Sequence, residues 1–205
     1  MDRIENLLKE LTEVLGTSGF EGDVFDIMRS RLSKVAEIEG DRLGSLIARL
    51  ETGKDSPRVM LTAHMDEVGF MVSHFTGGFI RFNTLGGWWP PRMIGIPVKI
   101  RGAKGDVIGV VCSKSPFHME EKERKEIPKS KDLYIDVGLT GGKSPESMGI
   151  RPGDPIVPYS PFTKLAGGKT YMAKAWDDRI GCAMVIEAMT KLARLDLPNA
   201  VYGVG

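Results

Sequence analysis

Between residues 68 and about 161 the chain shows strand patterning alone, and helical periodicity stands on both sides of that stretch. Ahead of it, Ile4, Leu7, Leu8, Leu11, Val14 and Leu15 recur at helical spacing, with Glu5, Lys9, Glu10 and Glu13 on the opposite face. Gly16-Thr17-Ser18-Gly19 breaks this helix, and Val24, Phe25, Met28 and Leu32 open a second. Short β-branched runs follow at residues 35–38, 45–50 and 58–62. Behind the stretch, residues 170–175 read as extended, Ile180, Ala183, Met184, Ile186, Ala188 and Leu192 as helix, and residues 199–204 as strand. Such an order predicts an α/β fold in which a helix-flanked central sheet is interrupted by an inserted all-β domain. The expected domains are 1–67 (first part of the α/β domain), 68–165 (β-domain) and 166–205 (second part).

Within the β-only stretch, strands are expected at residues 68–75, 79–84, 98–101, 107–112 and 133–137, separated by turns such as Gly77-Gly78, Gly86-Gly87 and Gly102-Ala103-Lys104-Gly105-Asp106. The run Glu120-Glu121-Lys122-Glu123-Arg124-Lys125 lies in a segment, 114–131, that reads as an exposed loop.

Charge excludes several classes of partner. With 28 basic against 27 acidic side chains the net charge is +1, so no global field steers nucleic acid or anionic lipid. No segment reaches the roughly 18 apolar residues of a membrane span, and a cytoplasmic location is expected. Cys112 and Cys182 sit in apolar surroundings and read as free thiols rather than a disulfide. Glutamine is absent and asparagine confined to Asn6, Asn83 and Asn199, a bias that suits a thermophile.

Two constellations carry chemistry. His64-Met65-Asp66 directly follows a predicted strand, and alternate residues of an extended segment project to one side, so His64 and Asp66 point together. A neutral imidazole ligates divalent metals well, and a neighbouring carboxylate fixes its tautomer. A hydrogen-bonded loop histidine is the plainer reading of that tripeptide alone. The second is Asp177-Asp178, where strand turns into helix. The pair reads either as a cap that complements the helix dipole or as a carboxylate able to hold two cations. Arg179 beside it reads as a brace for Asp178.

Other candidates are weaker. His74 lies within a strand and reads as a packed or surface residue; His118, at the entry of the polar loop, reads equally as loop or site. Trp88-Trp89-Pro90-Pro91 fits a buried corner or an interface better than a sugar platform. Ser113 and Ser115 lack a nucleophile-elbow context, and the glycine-rich stretches lack a phosphate-loop ending.

Taken together, Leu61-Thr62-Ala63-His64-Met65-Asp66-Glu67-Val68-Gly69 and Lys174-Ala175-Trp176-Asp177-Asp178-Arg179-Ile180-Gly181-Cys182 resemble the TET, or glutamyl/deblocking, family of aminopeptidases. Further similarity lies in Thr17-Ser18-Gly19-Phe20-Glu21, Asp41-Arg42-Leu43-Gly44-Ser45 and Gly149-Ile150-Arg151-Pro152-Gly153-Asp154. The resemblance implies a catalytic domain of the zinc-exopeptidase type, two divalent ions (Zn²⁺ or Co²⁺), and removal of N-terminal residues from peptides. It also implies self-association through the β-domain into a large, dodecamer-like homo-oligomer. His64 would bind one metal, Asp177 would bridge both, Asp66 would orient the histidine, and Asp178 would support the bridge, often through an unusual peptide geometry.

The family pattern continues, after the strand matching 201–205, into paired glutamates that supply a general base and a ligand, and later an aspartate and a histidine. None is present here, so the site is expected to be C-terminally incomplete, since two metals need about six to eight protein donors. Two alternatives stand beside the aminopeptidase. One is a glycoside hydrolase, because relatives have carried an endoglucanase label. The other is a non-catalytic assembly module.

Overall fold

Helix α1 (Arg3–Glu13) begins at a reciprocal cap: the Asp2 carboxylate accepts from the Glu5 amide at 2.8 Å and the Glu5 carboxylate from the Asp2 amide at 3.0 Å. Helix α2 (Gly22–Leu32) follows, then the antiparallel pair β1 (Glu37–Gly40) and β2 (Leu46–Arg49), then β3 (Arg58–Thr62). The computed structural model describes all 205 residues, in two units: Met1–Glu67 with Pro161–Gly205, and Val68–Ser160.

The second unit is a closed six-stranded barrel of β4 (Gly69–Thr76), β5 (Phe79–Leu85), β6 (Pro97–Gly102), β7 (Gly105–Cys112), β8 (Tyr134–Asp136) and β9 (Pro155–Pro158), in the order β4-β5-β8-β7-β6-β9. Alternate inward residues, among them Phe70, Val72, Ile80, Phe82, Val98, Ile100, Ile135 and Ile156, fill it. Gly109 permits the close approach of β7 to β8, because a Cβ there would lie 2.7 Å from Ile135 and 2.9 Å from the Asp136 carbonyl. Trp88 forms a packed corner: its indole N–H donates to the Gly69 carbonyl at 3.0 Å and its ring stacks on Phe70 at 4.6 Å. The segment read as a loop at 114–131 contains a short helix, α3 (Glu121–Lys125), started by a second reciprocal cap between Glu120 and Glu123. Strand β9 has no counterpart in the sequence reading.

The chain then returns to the first unit through β10 (Thr163–Lys164), β11 (Tyr171–Met172), α4 (Trp176–Leu192) and β12 (Ala200–Val204). Residues 161–165, read from sequence as the end of the β-domain, belong here. Lys164 and the Tyr171 hydroxyl both bond the Glu5 carboxylate on α1, Lys164 at 2.8 Å, and the Phe162 amide donates to Glu13 at 3.0 Å.

Strand β12 lies between β2, to which it is antiparallel, and β3, to which it is parallel, giving the order β1-β2-β12-β3. Helices α1, α2 and α4 pack on the same face of this sheet, in one core with Leu7, Leu11, Met28, Leu46, Ala48, Cys182, Ile186, Met189 and Val201. Gly203 lets α4 approach β12, since a Cβ there would lie 2.8 Å from Met189. No helix is long and apolar enough to cross a membrane.

Candidate metal centre

The segment that follows β3 stays extended, and the Ala63 amide still bonds the Val204 carbonyl of β12 at 3.0 Å. Alternation therefore sorts its side chains: Ala63, Met65 and Glu67 turn inward and are buried, while His64 and Asp66 turn outward. His64 Nδ1 lies 3.0 Å from the Asp66 carboxylate and 3.2 Å from the Asp66 carbonyl, and Nε2 lies 2.8 Å from Asp177 Oδ1, across 113 sequence positions. Ser18, on the loop after α1, donates to the other Asp66 oxygen. Burial opposes the imidazolium, but the bond to Asp177 and the charge of Asp66 outweigh it, and the pKa of His64 is raised above its ordinary value.

Asp177 reaches this position because the start of α4 is irregular. Ala175 is left-handed (φ 55°), Asp177 and Asp178 have non-helical backbone angles, and the peptide between them is cis. The two acids divide the work. Asp177 faces His64 and is almost fully exposed, whereas Asp178 accepts from the Gly181 amide at 3.1 Å. A Cβ at Gly181 would lie 2.4 Å from both Asp178 oxygens, so glycine is required at a helical position that would otherwise favour alanine.

Arg179 does not brace Asp178. It is completely buried and runs back beneath the site, donating from Nε to the Met65 carbonyl at 2.9 Å, and from Nη2 to Glu67 at 3.2 Å and to the Gly16 carbonyl at 3.4 Å. Lys174 donates to the same Glu67 oxygen and to the Val14 carbonyl, each at 2.6 Å. Burial raises the Glu67 pKa against the pull of Lys174 and Arg179, and lowers that of Arg179 against the pull of Glu67. A buried acid balanced by two cations thus holds the chain at Met65 and Glu67, on both sides of Asp66. The sequence reading did not single out Glu67, Lys174 or Gly181. The inward phase of residue 67 and the glycine inside a helix were the available signals.

Cys182 donates to the His64 carbonyl at 3.3 Å, and burial pushes its thiol up to about 11, which keeps it a hydrogen-bond donor rather than a thiolate ligand. His74, on β4, and His118, in the turn Pro116–His118, belong to the barrel unit. That unit has its own groove of 1240 Å³, lined by His74 and Arg81 together with Met119, Glu123 and Pro128 among others, and neither motif contributes to it.

As a metal site the arrangement is partial. His64 Nε2 and Asp177 Oδ1 have the right donor chemistry, with Nδ1 of the imidazole held by Asp66 as ligating histidines are usually held. Two ligands on one tetrahedral ion stand about 3.3 Å apart, so the present pair needs only a small opening to admit one. No cluster of three or more His, Cys, Asp or Glu donors accompanies them.

Comparisons with known proteins bear on the family of the chain. A profile of the M42 glutamyl aminopeptidase family matches residues 44–205. The glutamyl aminopeptidase of Lactococcus lactis is 36% identical over 196 residues, which are 93% of this chain and 55% of that protein. The crystal structure of a TET aminopeptidase from the marine sediment archaeon Thaumarchaeota archaeon SCGC AB-539-E09 superposes with a TM-score of 0.94 at 41% identity, over 100% of this chain and 58% of its own. TET1 peptidase of Pyrococcus horikoshii, which can assemble into a tetrahedron or a large octahedral shell, gives a TM-score of 0.84 at 29% identity over 98% of this chain and 60% of its own. The chain spans about half the length of the curated relatives it matches. Its profile match and these likenesses place this chain in the M42 glutamyl aminopeptidase family.

Proposed function

We propose that this chain carries the histidine-and-aspartate half of the centre of a metal-dependent aminopeptidase that removes N-terminal residues from peptides. The supporting observation is the approach of His64 Nε2 to Asp177 Oδ1, at 2.8 Å, in a chain of this family. In the complete enzyme two divalent ions, Zn²⁺ or Co²⁺, would share the site: His64 would hold one, Asp177 would bridge both, Asp66 would orient His64, and Asp178 would support the turn. The ions supply Lewis acidity and lower the pKa of water. Asp66 keeps Nδ1 of His64 engaged so that Nε2 faces the ion, and the buried Glu67–Lys174–Arg179 cluster holds the two segments in register. The remaining ligands and the base would belong to the part of the relatives that this chain does not match.

The fold reading that goes with this function is a zinc-exopeptidase α/β domain, in the cytoplasm, into which the barrel unit is inserted as an assembly domain. Because a P. horikoshii relative forms closed shells, the barrel is assigned to self-association into a homo-oligomer of dodecamer type. The decisive experiment joins to this chain the part of a family member that it does not match, adds Zn²⁺ or Co²⁺, and measures release of N-terminal residues from peptides, with cellulose assayed in parallel. Peptide hydrolysis abolished by His64→Ala supports the reading. Hydrolysis indifferent to that substitution, or cellulose cleavage alone, overturns it.

A further inference from the structure

Thr17-Ser18-Gly19-Phe20-Glu21 carries none of the ligands, yet its loop is fastened on both sides of Ser18. Ahead of Ser18, the Gly16 carbonyl accepts from the Glu67 amide at 2.8 Å, and the fully buried Thr17 forms a parallel bridge with Glu67. Behind it, the Phe20 amide donates to the Thr17 carbonyl at 2.8 Å, which closes a turn. The third residue of that turn, Gly19, has φ 87°, a conformation that favours glycine. The Glu21 carboxylate accepts from the Gly19 amide at 2.8 Å. Ser18 is thus an exposed side chain on a backbone held from both directions, and its hydroxyl donates to Asp66 Oδ2.

Asp66 needs such a partner. Its side chain is 38% exposed, and the last torsion of an aspartate is soft, so a carboxylate held by one hydrogen bond turns easily toward water or a cation. The ring of His64 also has two acceptors within reach of Nδ1: the Asp66 carboxylate at 3.0 Å and the Asp66 carbonyl at 3.2 Å. The charged acceptor makes the stronger bond and raises the basicity of the imidazole as a ligand. By occupying Oδ2, Ser18 leaves Oδ1 facing Nδ1.

We propose that Ser18 is a positioning residue of the metal centre: it locks the Asp66 carboxylate against Nδ1 of His64 and keeps that carboxylate from ligating the ion itself. It acts through Asp66 and needs no contact with ion or substrate. The role rests on the metal reading given above, but the hydrogen bond is measured without metal, so the two fail separately.

The test has a metal-free arm and a metal arm, both on the 205-residue chain. In the first, NMR of the His64 ring nitrogens, well above the ring's own pKa, reads the fraction of neutral ring with its proton on Nδ1. Ser18→Ala should lower that fraction, and Ser18→Thr, which keeps the hydroxyl, should restore it. The Glu67 amide, which Gly16 holds, should keep its protection from hydrogen exchange throughout. In the second arm, calorimetry with Co²⁺ should show about 3–10-fold weaker binding for Ser18→Ala, a smaller effect than loss of the histidine's direct partner. Adding Ser18→Ala to Asp66→Ala should weaken binding no further. The proposal is overturned if Ser18→Ala leaves the Nδ1-proton fraction unchanged, or if threonine fails to restore it. Loss of Glu67 amide protection, or equal weakening of Co²⁺ binding with and without the Asp66 carboxylate, overturns it too, since the loop rather than the hydroxyl would then be responsible. A parent chain that does not bind Co²⁺ overturns the metal reading, and with it the role at a metal centre, while the metal-free arm still decides whether Ser18 orients His64.

Discussion

The guanidinium of Arg179 donates to the carbonyl of Met65 over 2.9 Å, and so ties the residue just after the aspartate doublet to the one between His64 and Asp66. The contact is buried and belongs to a cluster in which Glu67 faces both Arg179 and Lys174. The site's register is thus set from beneath, by groups that do not themselves face His64.

Replacing Glu67 by glutamine leaves two buried cations without their counter-charge. Breaking a buried ion pair from one side costs about 3–5 kcal/mol. Chemical denaturation of Glu67→Gln should show a loss of that order. A change below about 1 kcal/mol would mean that the cluster does not hold the fold.

Gly181→Ala reverses the usual sign. Alanine in a helix interior is ordinarily favoured over glycine by about 1 kcal/mol, but here the new Cβ would meet the Asp178 carboxylate at 2.4 Å. We expect destabilisation of about 1–3 kcal/mol by overpacking, read as a lower Tm. Ala188→Gly, in the same helix, should show only the ordinary propensity loss.

The raised pKa of His64 gives a defined pH response. Its contact with Asp177 and Asp66 stabilises the fold fully below the ordinary histidine value of 6.5, and that contribution fades as pH rises through the higher folded-state value. An NMR titration of the apo chain should place the His64 midpoint above 6.5, and Asp177→Asn should lower it. Because a metal takes the neutral ring, Co²⁺ affinity should instead increase with pH over the same window, with release of a proton.

Asp66 acts on a metal through His64. Asp66→Asn should weaken Zn²⁺ or Co²⁺ binding by about 10–100-fold, as loss of a partner to a ligating histidine generally does. Isothermal titration of the chain with each ion measures this directly, and equal affinities would remove the orienting role from Asp66.

The helices and most strands were legible because their apolar periods are regular: Leu7 and Leu11 on α1, Val98 and Ile100 on β6. Strand β9 was not, since Pro155-Ile156-Val157-Pro158 offers no alternation and carries a proline at each end. The helix α3 hid in a run of charges with no apolar stripe. At the site, the positions of His64 and Asp177 followed from two motifs and a resemblance, since no local pattern connects residues 113 apart. Arg179 shows the limit most clearly. Next to Asp178 in sequence, it suggested a brace for that carboxylate, but its charge is answered by Glu67 and by main-chain carbonyls on segments more than a hundred positions away. Which charges are swallowed by the core depends on tertiary burial, and there the only local hint was the inward phase of residue 67.

The parallel register of β3 and β12 sets Val204 opposite Thr62, and a Cβ on Gly205 would touch Met65 at 3.3 Å. Anything appended at Gly205 is therefore delivered beside His64. A polyhistidine purification tag placed there would bring imidazoles to the very ion under study, so metal titrations belong on protein tagged ahead of Met1.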